Sequence, residues 1–259
     1  MTAPPAVALS NKARWALVLS ALITLALYVI PHGHYIAYPL LLISTLVHEL
    51  GHGVAAVIVG GKFVSFKMWA DGSGVALHSG PASGAAAAFV AAGGLCGPAV
   101  VAAGMIALAP RPKWARYALG GFGVALALAL LLVVRNGFGV AFTGILAALA
   151  LLIAIRGSAT FAQSTLLFLA VQLALSVYSR GDYLFMKQAQ TEMGVMPSDT
   201  QHMAEAMGGS YWFWGLMCAL FSAAMLAAGA YAFWRGTHQG AVVRRPVSGG
   251  LKLSPRKPA

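Results

Sequence analysis

Acidic residues are scarce in this sequence, and their scarcity limits the chemistry that the chain can perform. Only six of its 259 residues are aspartate or glutamate, and charged residues of both signs make up 9%. The six acids are Glu49, Asp71, Asp182, Glu192, Asp199 and Glu205. Any catalytic or metal-binding carboxylate must come from this set. So few charges also exclude the composition of an ordinary soluble domain.

Cysteine is scarcer still. The two cysteines, Cys96 and Cys218, both lie within apolar segments. Two residues exclude a disulfide framework and a four-cysteine metal site, since each needs more thiols than the chain contains. We therefore predict that both are small packing residues.

Apolar residues are abundant, at 59% of the chain, and the mean hydropathy is +0.79. This composition predicts a polytopic membrane protein. The net charge of +11 comes mostly from basic residues at the ends of apolar segments and in the C-terminal tail. Contact with anionic lipid headgroups accounts for that placement, so we expect a bilayer rather than nucleic acid as the partner.

The apolar segments define the predicted architecture, an all-α polytopic membrane protein with about six or seven transmembrane helices. They lie at about 15–30, 36–60, 84–109, 117–134, 138–155, 159–179 and 211–234. We predict one domain over residues 1–234 with a polar insert at about 181–210, followed by a basic, disordered tail over 235–259. Basic residues at the N-terminal and C-terminal ends favour the cytoplasmic side for both ends. Seven crossings would place the two ends on opposite sides, so the topology stays open.

The second apolar segment contains His48-Glu49-Leu-Gly-His52. A spacing of four residues places both imidazoles on one face of a helix, where they can bind one metal ion, usually zinc, with Glu49 as the base that activates water. The alternative is a set of chance polar residues that pair inside a helix bundle. Because a glutamate and two histidines are costly in lipid without a function, we predict a zinc site inside the membrane.

A β-hairpin is predicted directly after this helix. Residues 62–69 alternate partly in polarity, Asp71-Gly-Ser-Gly forms a turn, and residues 75–78 return. The hairpin either connects two helices or offers an edge strand that binds an extended peptide by strand addition.

In this order of features the chain resembles the site-2 protease family of intramembrane zinc metalloproteases, in its small, bacterial-type members without a PDZ domain. The HExxH motif lies in a membrane helix, a glycine-rich hairpin follows, and Gly97-Pro98 lies in the next span. The resemblance covers about residues 40–110. It implies zinc as the cofactor, a membrane protein as the substrate, cleavage of a peptide bond in or near its membrane-spanning segment, and location in a bacterial inner membrane.

The sequence departs from the family pattern at two points. Val101 stands where the family often has asparagine, and the only Asp-Gly pair is Asp71-Gly72 in the hairpin rather than in a late membrane helix. The resemblance implies two histidine ligands, His48 and His52, and a later aspartate. Asp199 is the first candidate, because its Ser-Asp segment resembles the corresponding region of the smaller members, and Asp182 is the second.

His202 follows Asp199 by three residues and is predicted to be either a ligand or a partner of one. The remaining polar candidates, Glu192, Glu205, Asp71 and His78, are interpreted as solvated or turn residues. Three other functions stay open. The chain is either a catalytically silent relative that acts as a binding scaffold or regulator, a transporter, or an enzyme that acts on a non-peptide substrate.

Overall fold

A computed structural model describes residues 6–80, 84–179, 184–192 and 194–242. Within these ranges the chain forms eight helices and four short strands, which confirms the predicted helical class with a small hairpin. The elements are α1 (Ala6–Val29), α2 (Gly33–Ile58), β1 (Lys62–Met68), β2 (Gly74–Ser79), α3 (Gly84–Leu108), α4 (Pro112–Leu132), α5 (Gly137–Arg156), α6 (Ala159–Ser179), β3 (Gln188–Thr191), β4 (Gly194–Pro197), α7 (Asp199–Met207) and α8 (Tyr211–Val242).

Six helices in the described ranges are long and apolar enough to cross a membrane, namely α2, α3, α4, α5, α6 and α8. Their apolar stretches run from 20 to 28 residues, which matches the hydrocarbon thickness of a bilayer. Large apolar side chains such as Leu131 and Ile155 point outward, as lipid-facing residues do. The chain is therefore an integral membrane protein, within the predicted range of six or seven spans.

The last helix is longer than predicted. The sequence placed its end at Trp234, but α8 continues to Val242. Near its end, the Arg14 side chain of α1 donates a hydrogen bond of 3.1 Å to the hydroxyl of Thr237. This hydrogen bond joins α1 to α8. The rest of the predicted tail, and Asp182, lie outside the described residues.

Helices α2 and α3 touch backbone to backbone at three glycines. A Cβ atom built on Gly51 would lie 2.2 Å from the carbonyl oxygen of Gly93, and one built on Gly93 would lie 2.6 Å from that of Gly51. A Cβ atom on Gly94 would lie 2.2 Å from Nε2 of His52. Small residues at helix crossings in lipid allow this approach. It brings the motif face of α2 directly against α3.

Buried glutamines of α6 connect distant helices. Gln163 donates a hydrogen bond of 2.6 Å to the carbonyl oxygen of Ala109, just after α3. Gln172 donates to the hydroxyl of Thr24 in α1. Between helices in lipid, such bonds contribute stability that the hydrophobic effect does not supply.

The predicted hairpin is confirmed as an antiparallel pair of β1 and β2. It lies along α2, whose polar side chains hold its turn. The hydroxyl of Tyr38 donates to the carbonyl oxygen of Ala70, and that of Thr45 donates over 2.8 Å to the carbonyl oxygen of Gly72. Side chains seven residues apart share a helical face, so one stripe of α2 carries the hairpin.

The outer edge of β1 is bonded to the connection between α4 and α5. Phe66 donates its N–H to Val133 over 2.7 Å and accepts from Arg135 over 2.9 Å. The side chain of Asn136 pairs with the backbone of Met68 as a neighbouring strand would. Its oxygen accepts a hydrogen bond of 3.1 Å from the Met68 N–H, and its nitrogen donates one of 2.6 Å to the Met68 carbonyl oxygen. Strand β2 has no second strand partner in the described ranges, so its edge is the open one.

A second hairpin, β3–β4, was not predicted. Its strands have four residues each and pair from Gln188 with Pro197 to Thr191 with Gly194. Both strands are short, and glutamines and methionines give them no clear alternation of polar and apolar residues. The hairpin leads directly into α7, since the N–H of Ser198 donates over 2.9 Å to the carbonyl oxygen of Lys187.

Asn136 provides a test of how the first hairpin is held. Replacement of Asn136 by alanine leaves the Met68 N–H and carbonyl without the side-chain partners that they have now, a loss of about 1–3 kcal/mol. We expect faster hydrogen exchange in β1 and a lower thermal unfolding midpoint. Asn136→Asp retains the acceptor and loses the donor, so its exchange rate and unfolding midpoint should lie between those of the wild type and the alanine variant. Equal exchange in the alanine variant and the wild type would contradict this role.

Candidate metal centre

Helix α2 places the two motif histidines together. His48 and His52 are one turn apart, and their Nε2 atoms lie 3.2 Å from each other. The backbone carbonyl oxygen of Val90 in α3 lies 2.9 Å from Nδ1 of His52. A carbonyl only accepts, so Nδ1 carries the proton and Nε2 of the neutral ring presents a lone pair. The lone pair of His52 therefore points toward His48.

The third residue comes from the start of α7. Ser198 caps this helix, because its completely buried hydroxyl accepts a hydrogen bond of 3.2 Å from the N–H of Gln201. This cap places Asp199 in the first turn of α7. One carboxylate oxygen of Asp199 lies 3.1 Å from Nε2 of His48, and the other lies 3.3 Å from Nε2 of His52.

The carboxyl group of Asp199 is ionised in this setting. Burial on its own would raise the pKa of Asp199, but attraction to the imidazoles in their protonated form, with hydrogen bonds from both rings, outweighs burial and holds the pKa well below its ordinary value. A metal cation in place of that proton would stabilise the same anion. The residue is only 7% exposed. A buried anion therefore faces two ring nitrogens.

These three side chains fit a metal ion. Oδ2 of Asp199 has no hydrogen-bond partner in the described ranges although it is buried. A tetrahedral zinc site with bonds of about 2.0–2.1 Å separates its ligand atoms by about 3.3 Å, close to the three distances found here. The ligand atoms of His48, His52 and Asp199 form the one such group in the described part of the chain. Two imidazoles and one carboxylate also suit zinc chemically.

Glu49 lies beside this group without joining it. It is 9% exposed, and its Oε2 atom accepts a hydrogen bond of 2.7 Å from the N–H of Ala76 in β2. The approach depends on Gly74, since a Cβ atom there would lie 2.9 Å from Cγ of Glu49. The open edge of the hairpin thus orients the carboxylate that the motif predicts to be the base.

A cavity of about 330 Å³ opens in front of these residues. Glu49, His52 and Asp199 line it on one side, β2 and the start of α3 form two walls, and β3–β4 and α7 complete it. His78, His202 and Glu205 also line the cavity. The sequence analysis interpreted His78 and Glu205 as solvated or turn residues and missed their place at the cavity, because that place depends on contacts between distant segments.

The predicted site residues therefore divide into two groups. The structure brings His48, His52 and Asp199 together, with Glu49 beside them. His202 stays apart from the three, and its Nδ1 lies 3.9 Å from a carboxylate oxygen of Glu205. The sequence did not identify Val90, Gly74 or Gly94 as supports of the site. The only signal for Gly94 was its place in a run of small residues.

The chain belongs to the peptidase M50B-like family, whose sequence model matches residues 18–229. This is the site-2 protease family of membrane-embedded metallopeptidases, as the motif suggested. Comparison with curated proteins finds no match, and comparison with solved structures finds none either.

Gly94 tests the contact between the two helices. A methyl group at this position would collide with the ring of His52, so we expect Gly94→Ala to weaken metal binding at least tenfold. Gly104 lies on the same helix with open space around its Cα, and Gly104→Ala should bind metal like the wild type. The measurement is metal affinity by competition with a chelator. Equal affinity in both variants would show that His52 does not depend on this contact.

Proposed function

We propose that this protein is an intramembrane zinc metalloprotease that cleaves a peptide bond in or near a membrane-spanning segment of a substrate protein. The observation that carries the proposal is the triangle of His48, His52 and Asp199, in which His52 and Asp199 line the same cavity as Glu49. Membership of a metallopeptidase family supports it. A bacterial inner membrane is the proposed location.

His48, His52 and Asp199 are the proposed zinc ligands. When bound, zinc supplies Lewis acidity that activates water and polarises the scissile carbonyl group. Val90 fixes the tautomer and the ring orientation of His52, as outer partners of metal ligands do. Ser198 fixes the helix that carries Asp199.

Glu49 is the proposed general base. Its carboxylate accepts the proton of the attacking water and later donates it to the leaving amine. The hydrogen bond from Ala76 occupies one carboxylate oxygen, so the other remains for the proton. Because the bond comes from the open edge of β2, the base is fixed relative to the strand beside it.

The part of the open edge of β2 beyond Ala76, whose N–H is already bonded to Glu49, is the proposed site for the substrate backbone. A helical substrate must unwind locally before its peptide bond becomes accessible, and an extended segment can then pair with an edge strand. Strand β1 cannot serve, because residues 133–136 already occupy its outer edge. The open edge also borders the cavity that contains Glu49 and Asp199.

The metal content of the purified protein tests the ligand set. We expect about one zinc ion per chain in detergent-purified wild type, and its loss in Asp199→Asn and His48→Ala. Asp71→Asn is the matched control, since Asp71 accepts hydrogen bonds from Ser73 in the hairpin turn. This control should retain zinc. Zinc retained in Asp199→Asn would remove Asp199 from the ligand set.

Glu49→Gln tests the chemistry separately. We expect this variant to retain zinc and to lose cleavage by roughly 10²–10⁴-fold, the usual contribution of a general base. The measurement counts new protein termini within membrane-spanning segments after incubation of proteoliposomes with bacterial membrane proteins. Glu205→Gln changes an exposed acid of the same cavity and should remain active.

Equal cleavage by the wild type and Glu49→Gln would exclude the proposed mechanism. No cleavage by either protein, with a membrane partner bound equally by both, would favour a catalytically silent scaffold.

A further inference from the structure

The two cysteines of the chain meet although they lie on helices far apart in sequence. Cys96 is in the middle of α3 and Cys218 is in the first half of α8. Both residues belong to one buried cluster of side chains from α3, α7 and α8, and both are free of disulfide bonds. They are thus more than isolated packing residues, because the fold brings both thiols to one place.

A third sulfur atom completes the cluster. Sδ of Met203 in α7 lies 3.9 Å from Sγ of Cys218. Met203 is 1% exposed, Cys218 is 6% exposed and Cys96 is 9% exposed. We call Cys96, Met203 and Cys218 the sulfur cluster. It joins three helices, and Met203 follows Asp199 by a single helical turn.

We propose that the sulfur cluster binds one copper(I) ion. Thiolate and thioether sulfurs are soft ligands that select this ion. Three sulfurs in a plane around a metal, with bonds of about 2.3 Å, lie about 4.0 Å apart. The separation of Met203 and Cys218 already has that value. The buried residues packed with the cluster are alkyl side chains, namely Ala88, Ala91, Leu95 and Leu184, which offer no ligand that a hard cation prefers.

Binding is a ligand exchange without a change in oxidation state. Each thiol that becomes a thiolate releases one proton to solvent, and the thioether of Met203 binds without releasing any. The buried hydroxyl of Ser222 lies one turn beyond Cys218 and next to the thiol of Cys96. A hydroxyl donates readily to an anion, so Ser222 is placed to stabilise a thiolate of this cluster.

An occupied sulfur cluster would cross-link α3, α7 and α8. These helices hold Asp199 against the histidines of α2, so the copper site is adjacent to the proposed zinc site but shares no residue with it. The proposal does not require that the protein cleaves peptides.

Copper(I) affinity of the full-length protein tests the proposal. The protein is titrated in detergent, without oxygen, against a chromogenic copper(I) chelator. We expect one tightly bound ion per chain, lost in Cys96→Ser and Cys218→Ser. Met203→Leu conserves volume and should weaken binding at least tenfold. Met217→Leu is the matched control, since Met217 precedes Cys218 but is 45% exposed, and it should bind like the wild type.

His48→Ala separates this site from the zinc site, since copper(I) binding should persist in that variant. Absence of binding to folded wild type, or undiminished binding in Met203→Leu, would overturn the proposal. X-ray absorption of the copper-loaded wild type needs no variant. Three sulfur neighbours at about 2.3 Å are expected, and nitrogen neighbours would assign the ion to histidines instead.

Discussion

Two imidazole nitrogens 3.2 Å apart, with a buried carboxylate against both, are the constraint that positions the elements around the site, namely α2, α3, α7 and the first hairpin. The carbonyl oxygen of Val90 takes the proton on Nδ1 of His52, so the Nε2 atoms of both rings face the buried carboxylate of Asp199 at 3.1 and 3.3 Å. A metal cation held by the three groups would compensate this buried negative charge. The polar side chains of His48, His52 and Asp199 are thus stable inside the apolar bundle only when all three are present.

The positions of these side chains depend on nearby glycines. Gly51, Gly93 and Gly94 allow α2 and α3 to touch, and Gly74 allows β2 to approach Glu49. The contact at Gly94 fixes the His52 ring relative to α3, and the contact at Gly74 fixes the Glu49 carboxylate relative to β2. A run of small residues is usually interpreted as general helix packing. Here the same run also determines the position of Nε2 of His52, because Gly94 lies against it. We therefore expect a methyl group at Gly94 to weaken metal binding more than it destabilises the fold.

The parts of the site that the sequence predicted are the local ones. His48 and His52 share a face because of helical spacing, and the first hairpin follows from its turn residues. The scarcity of acids reduced the search for a third ligand to a few candidates. The bonds of residues 133–136 to β1, the β3–β4 hairpin and the meeting of Cys96 with Cys218 depend on contacts between distant segments, which no local pattern encodes.

The hydrogen bonds that join the helices of the bundle, which we call its frame, are largely separate from the site. Gln163 and Gln172 hold α6 to Ala109 and to α1, while Arg14 holds α1 to α8. None of these bonds involves a residue of the metal centre. In lipid, where association of helices depends on packing and on such hydrogen bonds, the frame keeps its own stabilising contacts when a ligand is replaced. We therefore expect that loss of a bound metal and loss of the fold are separable in this protein, so that variants of His48, His52 and Asp199 report on metal binding.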